Sequence, residues 1–145
     1  MYRFKLEALL NHRRHQEEAC QIEMAEAQRE LSAVRKELSR LRKEKRTNIQ
    51  ELQTRQQESK KAADILLFVT YLEKLSDEIE NQISRLQNAT HKVNQKRDDL
   101  VAVMKKRKTL EKLKEKGWLA YQYRQLQEER KFNDEIAATR YVRKG

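Results

Sequence analysis

The chain has 145 residues, 39% of them charged, with 33 Lys and Arg against 23 Asp and Glu for a formal net charge of +10. A mean hydropathy of −1.08 leaves too little apolar material for one large core, and no run approaches the roughly 18 apolar residues that span a membrane. There is no proline, and the only glycines are Gly117 and the final Gly145, so the usual punctuation of a globular fold is missing.

The first residues, Met1-Tyr2-Arg3-Phe4-Lys5-Leu6, run directly into amphipathic sequence and lack the apolar run of a signal peptide. With a single cysteine, Cys20, and hence no internal disulfide, this places the expected location in the cytoplasm. From Leu6, steps of four and three pass through Leu10, Arg13, Glu17, Cys20, Met24, Ala27, Leu31, Val34, Leu38, Leu41, Lys45, Asn48 and Leu52. Most are apolar, and the residues between them are mainly Glu, Lys, Arg and Gln. A period of 3.5 is the signature of a coiled-coil seam. It predicts a first helix over about residues 3–56.

Residues 53–64 are polar, carry no seam residue and break the register. A bend is expected at about 57–63. A second seam follows: Ile65, Leu72, Ile79, Leu86, Val93 and Leu100 recur every seven residues, with Phe68, Leu75, Gln82, Ala89, Lys96, Val103 and Leu110 between them. It predicts a second helix over about 64–116, with a helical extension to about 141. The alternative is one straight helix that pairs in parallel with a second copy. Charge favours the bend. Residues 35–46 hold seven basic and two acidic residues, residues 73–80 four acidic and one basic, and folding near residue 59 sets them side by side. The expected fold is therefore all-α, a long antiparallel two-helix coiled-coil hairpin forming one elongated, monomeric domain.

Three stretches exceed what a seam needs. Residues 65–72 read Ile-Leu-Leu-Phe-Val-Thr-Tyr-Leu, and a two-stranded seam cannot hide Leu66, Leu67, Val69 and Tyr71 together with Ile65, Phe68 and Leu72. Either the chain near the bend covers them or they form a docking patch. Residues 105–116 carry seven basic and two acidic residues, and residues 3–15 carry Arg3, Lys5, Arg13 and Arg14 against Glu7. A bend near 59 gathers both runs at one end, where they would steer an acidic partner. Beyond Gly117, which could kink the helix, nothing of the first helix remains to pair with Trp118, Leu119, Tyr121, Tyr123, Leu126, Phe132, Ile136 and Tyr141. Aromatics on an unpaired helix suit binding.

Chemistry-bearing patterns are lacking. His12 and His15 could share one helix face, but no second cysteine and no His-Glu-x-x-His accompanies them. Adjacent carboxylates such as Glu17-Glu18 and Asp98-Asp99 point apart on a helix. The sequence predicts no catalytic residue, no metal site and no cofactor. Nucleic acid is not expected as a partner, because basic and aromatic residues do not interleave on one platform.

Phe4-Lys5-Leu6-Glu7-Ala8-Leu9-Leu10-Asn11-His12-Arg13 with Glu17-Glu18, then Arg107-Lys108-Thr109-Leu110-Glu111-Lys112-Leu113, and finally Asp134-Glu135-Ile136-Ala137-Ala138-Thr139-Arg140 resemble the FliJ family of flagellar type III export proteins. That resemblance implies a non-enzymatic coiled coil similar to the gamma stalk of rotary ATPases. It implies a role in promoting a hexameric flagellar export ATPase. The further partners implied are the cytoplasmic domain of the membrane export gate and export chaperones, which would hold the protein at the cytoplasmic side of the inner membrane. The expected ATPase-facing residues are Arg3, Leu6, Leu10, Arg13, Arg14, Lys105, Lys108, Lys112, Trp118, Tyr123, Leu126, Ile136 and Arg140. The expected gate-facing residues are Leu66, Phe68, Val69, Leu72 and Leu75. The alternative is a scaffolding coiled coil with no motor partner.

Overall fold

The computed structural model describes residues 1–58 and 61–144, with side chains for all of these but Lys144. The fold is all-α. Helix α1 spans Glu7–Gln57 and helix α2 spans Ala62–Lys144. Part of the expected bend, residues 59 and 60, lies outside the described residues. On its flanks, α1 ends with the Glu58 amide donating to the Thr54 carbonyl at 3.2 Å. The Lys61 carbonyl opens α2 by accepting the amides of Asp64 at 3.0 Å and Ile65 at 3.3 Å. Arg55 in the last turn of α1 and Asp64 in the first turn of α2 both oppose the local helix dipole.

By packing, the chain divides into two units, one of residues 19–100 and one of residues 1–18 with 101–145. In the first, α1 and α2 run antiparallel, and the sequence-predicted seam is the buried line. Ala27 and Leu31 of α1 meet Ala89 and Val93 of α2, with Val34 and Leu86 packed against them. Leu38, Leu41 and Leu75 continue the line at 2–4% exposure. Removing such a leucine side chain from water contributes about 1.5–3 kcal/mol. The one buried polar seam residue, Gln82, donates from Nε2 to the Val34 carbonyl at 3.4 Å. That bond satisfies a group that would otherwise be costly to bury, and it ties one register of the two helices together.

The charge pairing differs from the sequence expectation. Among the described residues the basic 35–46 run makes no ion pair with 73–80. Arg40 instead bridges Glu37 at 2.7 Å and Glu44 at 3.0 Å on its own helix, and its hydrogen bond holds the Glu37 carboxyl below its ordinary pKa. Side chains three and four apart on a helix are already neighbours, so the local partner wins. Cross-helix ion pairs form further along: Lys92–Glu30 at 3.2 Å and Lys96–Glu23 at 3.0 Å. The Glu23 hydrogen bond raises the Lys96 pKa and keeps a seam lysine charged.

In the second unit, α1 begins at Glu7 rather than near residue 3. Residues 1–4 are not helical, and the Phe4 carbonyl accepts the Glu7 amide at 3.2 Å. Leu10 is the fully buried side chain, opposite a seam that contains Leu110 at 8% exposure. Lys114 pairs with Glu7 at 2.9 Å. Arg107 takes Glu17 across the helices and Glu111 along its own helix at 2.8 Å.

No break occurs at Gly117; α2 is continuous through it. The glycine serves a close approach instead. A Cβ there would lie inside the contact radius of the Tyr2 hydroxyl oxygen. That hydroxyl donates to the Lys114 carbonyl at 3.2 Å. The Tyr2 ring sits 5.7 Å from both Trp118 and Tyr121, edge-on to the tryptophan, and those two rings stack at 5.9 Å. The non-helical N-terminal segment is thus fastened to α2 by three rings over one missing side chain.

Two outcomes follow from this packing. Leu75→Asp buries an unpaired carboxylate and is expected to lower helicity in circular dichroism, whereas Leu66→Asp, at a position 65% exposed, leaves it unchanged. Equal losses at both positions would mean that the 65–72 stretch is packed internally. Gly117→Ala is expected to displace the Tyr2 ring and change the fluorescence of Trp118, the only tryptophan, while helicity holds. In a Tyr2→Ala chain the same substitution meets no ring. There it should stabilise α2 by the roughly 0.8–1 kcal/mol that separates alanine from glycine in a helix, read by thermal unfolding.

Candidate functional site

Each unit carries an exposed surface with more charge or apolar area than its seam uses. The surface in the unit of residues 1–18 and 101–145 is built by subtraction. Its carboxylates Glu7, Glu17 and Glu111 are occupied by Lys114, Arg107 and, at 3.7 Å, Arg14. Donating to the Glu17 and Glu111 carboxylates raises the Arg107 pKa still further. Arg3, Lys5, Lys105, Lys106, Lys108, Lys112 and Lys116 are exposed and make no ion pair among the described residues. The positive field is therefore carried mainly by lysines on α2.

The expected ATPase-facing residues divide. Arg3, Arg14, Lys105, Lys108 and Lys112 are exposed, and Leu6 is 41% exposed. Arg13 is half-buried and donates to Gln16 Oε1 at 2.8 Å. Leu10 must be corrected. At 0% exposure it holds the unit together and cannot face a partner, because its seam position takes it inward. Trp118 is 44% exposed, with one edge held by Tyr2. Beyond Tyr121, every residue of 122–143 is exposed except the half-buried Ile136. Tyr123 and Leu126 thus stand open on an unpaired helix. Arg140 lies about 28 Å along the axis from Tyr121, so the helix does not bring it to residues 3–14. Lys116 and Leu119, noted in the sequence within the basic run and the unpaired helix but not among the ATPase-facing residues, belong to this surface, and so does Tyr2, which the sequence did not single out. The spacing of Leu119, Tyr123 and Leu126, four then three, was the available signal. Tyr2 gave no signal at all, because its partner is more than a hundred residues away.

The second surface, near the start of α2, is the 65–72 stretch. Leu66 and Leu67 are 65% and 70% exposed, and Val69 and Tyr71 are 38% and 39% exposed, so the folded chain leaves all four accessible. Phe68 and Leu72 are half-buried, and the Arg55 guanidinium lies over the Phe68 ring at 4.7 Å from its centroid. Leu75, at 2% exposure, is also corrected: it is seam, not surface. Leu67 and Tyr71 replace it. The Tyr71 hydroxyl donates to Glu44, and that hydrogen bond raises the phenol pKa.

Cys20 is half-buried on the seam. His15 lies 3.8 Å from Glu18 on one exposed turn. Among the described residues no three His, Cys, Asp or Glu side chains gather as a metal ion would require, and no helix is long and apolar enough to cross a membrane.

No curated protein and no solved structure matches the chain significantly. A family model described as the flagellar FliJ protein matches residues 2–145, nearly the whole sequence. Two long helices packed on a seam accord with that match, and the chain belongs to the FliJ family of flagellar type III export components.

Proposed function

We propose that this non-enzymatic flagellar export protein acts as a stalk-like coiled coil that binds and promotes the hexameric export ATPase, and that it presents its second surface to the cytoplasmic domain of the export gate and to export chaperones. Membership in the family gives the coarser role, that of a chaperone or scaffold in flagellar export. The observation that carries the finer reading is the α2 overhang. It leaves the α1 seam at Tyr121 and continues to Lys144 with Tyr123 and Leu126 bare, just after a run of unpaired lysines. A partner that closes around such a helix gains apolar burial at the tip, and the lysines draw its acidic rim in.

The division of labour sets the kinetics. Charge governs encounter and apolar contact governs residence. Leu66, Leu67, Val69 and Tyr71 form the gate-facing patch in this reading, with Phe68 and Leu72 supporting it from below. The complex would sit at the cytoplasmic face of the inner membrane through those partners.

Lys108→Glu with Lys112→Glu is expected to slow association with the purified ATPase and to flatten its salt dependence. Tyr123→Asp with Leu126→Asp should speed dissociation at least tenfold and remove stimulation of ATP hydrolysis, with helicity intact. Both are read by surface-plasmon kinetics and phosphate release. Full stimulation by the Tyr123/Leu126 variant would rule out the overhang as the ATPase contact and favour a scaffold without a motor partner.

A further inference from the structure

We propose that the face of α2 turned away from α1, over residues 105–130, is a binding surface for an anionic lipid membrane. The seam side of this segment is fixed by burial: Val103, Arg107, Leu110, Lys114, Gly117 and Tyr121 are buried or half-buried. At about 100° per residue, the opposite side carries Lys105, Lys108, Lys112 and Lys116, all exposed. The same line continues without a change of face into Leu119, Tyr123 and Leu126, which are 56%, 63% and 53% exposed, and ends at Arg130. These eight residues fall within an arc of about 80° and a length of about 38 Å.

Four features suit this face to a lipid surface as well as to the acidic rim of the ATPase. Over residues 105–130 no carboxylate lies within the arc; Glu115 flanks it, and the line meets its first carboxylate, Asp134, one turn past Arg130. The charges are lysines one turn apart, hydrated point charges on long stems that respond to charge density, where a protein carboxylate is matched better by the fork of arginine. Leucine with tyrosine is the pairing that enters the acyl boundary while keeping a hydroxyl at headgroup level. Finally, α1 packs on the other side of α2 in this unit, so it does not obstruct a flat partner along the line. Basic residues followed in line by an apolar contact supply the two signals that stable membrane adsorption needs. The face shares Lys108, Lys112, Tyr123 and Leu126 with the export-ATPase reading, and it is tested apart from that reading because vesicle binding is measured with no ATPase present.

The test uses the full chain with a tryptophan reporter on the face, Tyr123→Trp in a Trp118→Phe background. Vesicles of phosphatidylcholine containing about one-third phosphatidylglycerol are compared with pure phosphatidylcholine by co-sedimentation and fluorescence. Expected are partition onto the anionic vesicles only, weakening with salt, and a blue shift of the residue 123 emission. Neutralising Lys105, Lys108 and Lys112 to Gln should lower the partition coefficient about a hundredfold, at the usual contribution of each lysine near an anionic surface. Leu119→Gln with Leu126→Gln should abolish the blue shift while leaving salt-sensitive adsorption. Equal binding to neutral vesicles, or anionic binding without the blue shift in the reporter chain, would overturn the proposal. Undiminished binding to anionic vesicles after the three lysines are neutralised, or tighter binding of the same chain to duplex DNA than to those vesicles at equal salt, would also overturn it, the latter assigning the face to nucleic acid.

Discussion

A seam between two helices buries only about two residues in every seven, and that limit governs the rest of this molecule. Every apolar residue in excess of the quota has to remain outside. Ala27, Leu31, Leu38, Leu41, Leu75, Ala89 and Val93 satisfy the quota in the unit of residues 19–100, and Leu10 and Leu110 do so in the other. The surplus stays exposed: Leu66 and Leu67 near the start of α2, and Leu119, Tyr123 and Leu126 on its unpaired part. In a larger globular core these side chains would have been absorbed without consequence. Here they stay exposed because no second layer exists to receive them.

Electrostatics follows the same division. Carboxylates next to the seam are taken up by cross-helix partners, Glu23 by Lys96, Glu30 by Lys92, Glu17 by Arg107 and Glu7 by Lys114. These pairs are largely solvent-exposed and set register more than stability. Their second effect is subtraction. With Glu7, Glu17 and Glu111 engaged, the lysines at 105, 108, 112 and 116 are left as an uncompensated line. A line of positive charge is thereby left on one face of α2.

The N-terminal segment adds a contact of a different kind. Tyr2 reaches the α2 backbone because Gly117 has no side chain, and its ring joins Trp118 and Tyr121. In the sequence that glycine suggests a kink; in the fold α2 is continuous through it, and the missing Cβ makes room for a hydroxyl. The cluster marks where α1 stops covering α2. It also holds one edge of Trp118 while leaving the next turn, Leu119 to Tyr123, exposed.

The heptads by themselves determined that the chain is two helices and which residues would face inward. From Leu10 to Leu52, and from Ile65 to Leu110, each seam position is buried or half-buried. That information is local, because a period of 3.5 and the absence of proline act over a few turns and need no knowledge of the partner strand. The surplus at Leu66 and Val69 was legible for the same reason. What only the tertiary structure decided were contacts between residues far apart in sequence: Tyr2 against Gly117, Gln82 against the Val34 carbonyl, and which carboxylates were left for which lysines. The same distinction accounts for Leu10 and Leu75, whose apolar character suited surface and seam alike until the packing took both inward. Periodicity fixes the direction in which a side chain leaves its helix; what it meets there depends on the register of a second helix, which the chain reaches only by folding back on itself.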